Sequence, residues 1–224
     1  MDITVVCVDT LNKQKALSVI ERMVDIFPFK EALFFSNQIQ SHKVRVIDIP
    51  DIKNITEYSK FILLDLPQYI KTDYVLIVQH DGYIINPDRW NDKFLQYDYI
   101  GAPWTIEQTK KHGGTIANIV GNGGFSLRSK KFLTACTDIL RDKQIDSCED
   151  IQCCIYEYKE FIKRGIKFAP ISVAFQFSIE DVMPQDFTDN SPYSFIPPFG
   201  AHSYSALASP IISSSILKQI SVHC

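Results

Sequence analysis

Apolar residues along this chain fall into two alternating patterns: short unbroken runs, and longer stretches where they recur every three or four positions. Asp2 to Val8 is a run of strand length, followed by Asp9 and Thr10 as cap candidates and by Ala16, Leu17, Ile20, Met23, Val24 and Phe27 at helical spacing. Leu33 to Phe35 and Val44 to Ile49 read as two further strands, and Tyr58, Phe61, Ile62, Leu66 and Tyr69 form the stripe of a second helix. Tyr74 to Gln79 is again continuously apolar up to its last residue, as expected of a strand covered on both faces, and it stops abruptly at His80-Asp81-Gly82.

The second half is less regular. Tyr97 to Ala102 and Gly124 to Leu127 read as strands, Thr105 to Ile119 as a polar loop, and Ser129 as the cap of a helix through Leu140. A last helix is predicted from Glu149 to Arg164, with Ile151, Ile155, Tyr158 and Ile162 on one face and Gly165 as its stop. Strands alternating with helices predict an α/β fold, a single Rossmann-like domain with a mainly parallel central sheet flanked by helices. In such sheets ligands bind outside the carboxyl ends of the strands, which directs attention to the residues after Gln79.

With 224 residues, 46% of them apolar, the chain can bury a sizeable core, so disorder and a small stapled scaffold are excluded. The balance of 23 basic against 26 acidic residues predicts no general attraction to nucleic acid or to an anionic bilayer. The start carries no secretory pattern, which gives a cytoplasmic expectation. The six cysteines form no C-x-x-C pair and are expected reduced and mostly buried. From Asn190 to Leu217 there is no Asp, Glu, Lys or Arg, but prolines and serines interrupt the run, so it is no membrane span. Ile211, Ile212, Ile216 and Leu217 in this C-terminal tail are candidates for a peripheral membrane or oligomer contact, the alternative being packing on the domain.

Four places carry candidate chemistry. Asp81 follows the most apolar strand, where a carboxylate can hold a divalent cation, and Gly82 beside it leaves room for a ligand; an ordinary Asp-Gly turn is the alternative. In Gly121-Asn122-Gly123-Gly124-Phe125-Ser126-Leu127-Arg128 three glycines allow a ligand to approach the backbone, while a dinucleotide fingerprint fails because Ser126 stands where glycine is needed. Glu149 and Asp150 open a helix, where the dipole favours negative charge without any catalysis, yet one of them is also placed to act as a general base. His202, far downstream, is either structural or a ligand.

In that order, with the stretches YVLIVQHDGYIINPDRWNDKFLQYDYIGAPW (Tyr74 to Trp104), GNGGFSLRS and CEDIQ, these signals resemble the GT-A class of nucleotide-sugar-dependent glycosyltransferases. More narrowly, they resemble a little-characterised family met in polysaccharide-synthesis gene clusters. The resemblance covers roughly residues 55 to 205. It implies a GT-A-like domain over 1–205, with 1–100 as the nucleotide-binding half and 101–205 as the acceptor and catalytic half, followed by the tail 206–224.

The resemblance also implies roles. Asp81 takes the position of the carboxylate that holds Mn²⁺ or Mg²⁺ against the donor's diphosphate, His202 completes the metal shell, and Gln79 stands where the class has a first Asp, able to hydrogen-bond a ribose or sugar hydroxyl without adding charge. Asn122, Gly123 and Gly124 form the wall where donor sugar and acceptor meet, with Gly82 beside them. Trp104 either stacks on a sugar face or belongs to the core. Asp150 is the implied base of an inverting transfer, with Glu149 as runner-up or acceptor-positioning group. Cys7 to Thr10, with Thr10 as the candidate contact, and Ser36 and Asn37 follow the first two strands, where the fold holds base and ribose. The implied donor is a nucleoside-diphosphate sugar, UDP-sugar favoured, and the implied acceptor a glycan or glycolipid. Lys110, Lys111 and His112 lie in a segment that is either a closing loop or plain surface. Two rivals remain: a nucleotidyltransferase, disfavoured because no glycine-rich loop follows the first strand, and a domain that binds nucleotide or glycan without turnover.

Overall fold

The computed structural model describes residues 1–115, 117, 119–180 and 197–203. The apolar tail positions Ile211, Ile212, Ile216 and Leu217 lie outside the described residues. Among those described, no helix is long and apolar enough to cross a membrane.

The chain opens with β1 (Ile3–Val8), α1 (Lys13–Ile26), β2 (Glu31–Ser36), β3 (Arg45–Asp48), α2 (Ile55–Lys60) and β4 (Tyr74–Val78). β5 (Gly82–Ile84), β6 (Tyr99–Ile100), α3 (Ile106–Lys111), β7 (Phe125–Ser129) and α4 (Lys130–Leu140) follow. The last described elements are α5 (Glu149–Ile151), α6 (Tyr158–Lys163), α7 (Ile171–Phe177), β8 (Ser178–Ile179) and β9 (Gly200–His202).

Six strands form one sheet in the order β3-β2-β1-β4-β7-β6. The first four are parallel, whereas β7 runs antiparallel to both β4 and β6. The period of two explains why the central strands are apolar throughout. Val5 and Cys7 of β1 join the cluster under α1, while Val6 and Val8 join the opposite cluster with Tyr58 and Ile62. β4 divides in the same way, with Leu76 and Val78 on one side and Val75 and Ile77 on the other. A third cluster surrounds α4 and α6, with Tyr99, Phe132 and Phe161.

Several predicted elements change in detail. Asp9 and Thr10 do not cap α1, which starts after Asn12. Asp9 Oδ1 instead accepts from the Leu11 and Asn12 amides at 2.8 and 2.6 Å, an Asx-type turn ahead of the helix. The polar loop predicted over Thr105 to Ile119 contains α3, because Thr105 and Gln108 form a reciprocal capping box. The long helices read from single stripes are interrupted: α2 continues as a π turn over Phe61–Asp65 and a 3-10 turn over Leu66–Tyr69, and a π turn over Gln152–Tyr156 separates α5 from α6. A π turn inserts one residue and so shifts the apolar spacing by a single position, a change that a short stripe of apolar residues does not distinguish from a continuous helix. Ser129 does cap α4, accepting from the Phe132 amide at 3.0 Å, and Gly165 ends the α6 region at φ +73. Cys7, Cys136, Cys153 and Cys154 are buried free thiols and Cys148 is an exposed one.

A second sheet of three short strands, β5-β9-β8, sits beyond the end of β4. Its registry positions the site: Gly82 pairs with His202 across β5 and β9, and Ser178 pairs with Gly200 across β8 and β9.

Candidate active site

With the order β3-β2-β1-β4, the chain leaves β1 toward one side of the sheet and returns in β4 on the other. The crevice at that switch lies outside the carboxyl ends of β1 and β4. A cavity of about 260 Å³ opens there, lined by the turn after β1 (Asp9 to Asn12), by Ile52, Asn54, Ile55 and Tyr58 at the start of α2, and by Gln79 and His80. Of the residues expected at the nucleotide, Thr10 and Gln79 line it. Ser36 and Asn37 brace its walls instead: Ser36 Oγ donates to the Asp9 carbonyl at 2.6 Å, and Asn37 accepts from Lys13 and donates to Asp51. Asp9, within the stretch expected near the nucleotide, lines the cavity too, and Tyr58 and Asn54 are lining residues that were not expected there. Asp9 Oδ2 lies 3.3 Å from His80 Nδ1.

Past this cavity the β5–β9 pairing places His202 between two carboxylates. Its Nε2 lies 3.2 Å from Asp81 Oδ1, and its Nδ1 lies 2.9 Å from Glu180 Oε1. Gln79 Oε1 is also 3.2 Å from Nε2. Burial pulls the imidazole toward its neutral form, but Asp81 and then Glu180 outweigh this and raise its pKa to about 9. For Asp81, burial pushes the carboxyl upward, and the facing His202 more than offsets it, leaving the pKa below the ordinary value. Glu180 was not expected from sequence; its signal is only that it directly follows β8, the strand beside β9.

Asn122 connects this group to the glycine segment. Its Nδ2 donates to the same Glu180 oxygen at 2.7 Å, and its Oδ1 accepts from the Phe125 amide at 3.3 Å. The glycines are needed for close approach. A methyl on Gly124 would meet His202 Nε2 at 2.1 Å, one on Gly123 would meet Glu149 Oε1 at 2.1 Å, and one on Gly82 would meet the Gly124 carbonyl at 2.8 Å. Trp104 is buried, its ring occupying the space a side chain at Gly121 would take. The structure thus places this tryptophan in the core.

Asp150 and Glu149 sit next to Gly123 with different surroundings. Glu149 is buried and paired with the fully buried Arg128, Nη2 to Oε1 at 2.6 Å. Asp150 is half-buried, with Oδ2 accepting from the Gly123 amide at 3.0 Å and Oδ1 from the Ile151 amide at 2.7 Å. Burial first, and the neighbouring Glu149 charge second, raise its pKa to about 7. A carboxyl poised near neutrality, with two of about four acceptor positions still open, has the properties a general base requires.

Whether the residues suit a divalent cation can be judged from their donors. Among the described residues no three His, Cys, Asp or Glu side chains form a metal cage. Asp81 Oδ1, Gln79 Oε1 and His202 Nε2 nevertheless converge, with the nitrogen 3.2 Å from each oxygen. An octahedral ion with bonds of about 2.1 Å needs neighbouring donors about 3.0 Å apart. Asp81 Oδ1 is buried and accepts no well-directed hydrogen bond despite its nearness to the imidazole. Glu180 on Nδ1 supplies the carboxylate–histidine support usual behind a metal-bound imidazole. The donor set fits.

The sheet order, the small second sheet and this crevice define a fold of the GT-A class, shared with two solved structures over nearly their full lengths. An active-site mutant of LgtC matches at 15% identity and TM-score 0.51, covering 96% of this chain and 95% of that one. A glycosyltransferase involved in glycosylation of the major capsid of PBCV-1 matches at 12% identity and TM-score 0.50, covering 98% of each chain. A looser match is the glucosyl-3-phosphoglycerate synthase of Mycobacterium tuberculosis, solved with Mn²⁺, UDP and glucosyl-3-phosphoglycerate. At 12% identity and TM-score 0.39 it covers 59% of this chain, which spans 58% of that protein. No curated protein matches the sequence. Residues 41–202 match the family model described as a protein of unknown function (DUF5672), and the chain belongs to that family.

Proposed function

We propose that this chain transfers a sugar from a nucleoside-diphosphate sugar, with UDP-sugar favoured, to a hydroxyl of a glycan or glycolipid acceptor, inverting the anomeric carbon. The observation that carries the reading is the unbroken series of contacts from Asp81 through His202 to Asn122 and Gly124, and from Gly123 to Asp150. It joins a cation-type donor set to a base-type carboxylate beside the crevice where α/β sheets bind ligands.

In this reading residues 1–100 hold the nucleotide. The cavity between β1 and β4 takes the base and ribose against Thr10, Tyr58 and Gln79. Asp81, His202 and Gln79 would hold Mn²⁺ or Mg²⁺, which when bound offsets the charge of the departing diphosphate. Residues 101–205 hold the acceptor. The bare backbone at Gly123 and Gly124 lets sugar hydroxyls approach, and Asp150 takes the proton from the acceptor hydroxyl as it attacks. That charge grows only in the transition state, so the effect falls on the rate rather than on ground-state binding. A base on the face opposite the leaving group makes the displacement direct. Glu149, held by Arg128, accepts the Asp150 amide and so orients that residue.

The test is a panel of UDP-sugars with simple glycosides as acceptors, followed by release of UDP, in the parent and in Asp150→Asn. The amide keeps the shape but cannot accept the proton. Transfer should fall at least about a thousandfold while UDP affinity stays within about twofold. Unchanged turnover removes Asp150 from the mechanism. Failure of the parent to bind any nucleoside diphosphate, with or without Mn²⁺, would refute the reading as a whole.

A further inference from the structure

The Gly123 peptide and the Asp150 carboxylate are joined through the protein interior as well as directly. Arg128, on β7, is fully buried, which is unfavourable for a guanidinium unless its charge and donors are matched. Glu149 supplies the charge at Nη2, and the Tyr99 ring stacks 5.2 Å from the guanidinium carbon. Nη1 has no hydrogen-bond partner. Nε donates to Ser126 Oγ at 3.0 Å, and that hydroxyl donates to the Gly123 carbonyl at 2.9 Å. The Gly123 amide donates to Asp150 Oδ2 at 3.0 Å, and the Asp150 amide donates to Glu149 Oε2 at 2.9 Å. With the Arg128–Glu149 contact at 2.6 Å, five residues close into a ring of hydrogen bonds.

We propose that Arg128 is a positioning residue for Asp150, reaching it from two sides through this ring and so fixing both the carboxylate and the Gly123 backbone against which it is held. Four members, Arg128, Ser126, Gly123 and Glu149, are buried, and only Asp150 meets the outside. The ring therefore presents one oriented group to the crevice. A plain charge pair between Arg128 and Glu149 would need neither the Nε bond nor Ser126. The planar fork of arginine is what allows one cation to engage Glu149 and Ser126 at once; a lysine carries the charge on a single nitrogen. The inference rests on the reading of Asp150 as base, but its physical content is the restraint on that carboxylate.

Arg128→Lys separates charge from geometry, because it keeps the cation opposite Glu149 and gives up the fork. Ser126→Ala breaks the ring with no change of charge, and Ser126→Thr restores a hydroxyl. The titratable groups facing Asp150 are Glu149, Arg128, Cys148, Cys154 and Tyr99, all retained in the Ser126 variants. The full chain is titrated by carboxyl ¹³C NMR of Asp150, and kcat and donor KM are measured alongside. Loosening the Gly123 amide removes a bond that favours the ionised carboxylate, so the Asp150 midpoint should rise by at least about half a pH unit in Arg128→Lys and in Ser126→Ala. kcat should fall about tenfold with donor KM unchanged, and Ser126→Thr should recover both values. Folded variants with the parental midpoint and kcat overturn the proposal and leave Arg128 a structural cation. Should Arg128→Lys not fold, the Ser126 pair decides on the same readings. A shifted midpoint in a chain that transfers no sugar would uphold the ring and refute the sugar-transfer reading instead.

Discussion

One methyl group added at Gly124 should dislodge His202. The new Cβ would lie 2.1 Å from Nε2 and 2.5 Å from both adjacent ring carbons, so the imidazole must retreat by more than about 1 Å to reach ordinary contact. The His202 backbone cannot follow easily, because β9 is paired with β5 on one side and β8 on the other. The ring must rotate away from Asp81 and Gln79, and overpacking of this kind costs about 1–3 kcal/mol. Losing one of three converging donors should weaken Mn²⁺-dependent UDP binding at least about tenfold, which is about 1.4 kcal/mol. Calorimetric titration of UDP into Gly124→Ala, with and without Mn²⁺, reads the effect, and circular dichroism reports whether the fold persists. Thr134→Ala, a change at an exposed position of α4, is the control. A folded Gly124→Ala chain with parental Mn²⁺-dependent affinity would show that His202 belongs to no cation site.

Further outcomes are expected. A general base at Asp150 acts only when ionised, so under the proposed mechanism kcat/KM should rise with pH and level off above about 7; a profile already flat from pH 5 would assign the base elsewhere. The same carboxyl ionises near 3.9 when unfolded, so the folded state binds the extra proton between that value and about 7. The stability of the parent relative to Asp150→Asn should therefore decline as pH rises through this window, measured by urea unfolding at several pH values; a constant difference would contradict the raised pKa. Gly165 holds φ +73, so Gly165→Ala should destabilise the chain by about 1 kcal/mol, seen as a lower urea midpoint. Thr105→Ala removes the capping box of α3 and should cost about 1 kcal/mol locally, read as faster hydrogen exchange in Ile106 to Lys111.

The strands of the central sheet were legible because being covered on both faces leaves long apolar runs, as in Val5 to Val8 and Val75 to Val78. Their order predicted a mostly parallel sheet, with Asp81 after a strand and Asp150 at a helix start as candidates, and His202 as a further candidate in an irregular segment. The small second sheet was not legible. Strands of two or three residues such as Ser178–Ile179 carry no periodicity, and their pairing depends on contacts distant in sequence. Glu180 was missed for the same reason, since an isolated glutamate in an irregular stretch is recognisable only by what it faces. The separate environments of Glu149 and Asp150 likewise depend on Arg128, a charged residue in an otherwise apolar strand whose burial no local pattern announces.

The pairing of β5 with β9 has a consequence for how this site can vary. Side chains alternate from one face of a strand to the other, so the imidazole two places after Gly200 is either turned inward or turned away, with no graded setting between. Adjustment of the distance to Asp81 is thus quantised in whole residues. An insertion or deletion inside Gly200–His202 would switch the site off rather than retune it, whereas changes in the surrounding loops leave the choice untouched.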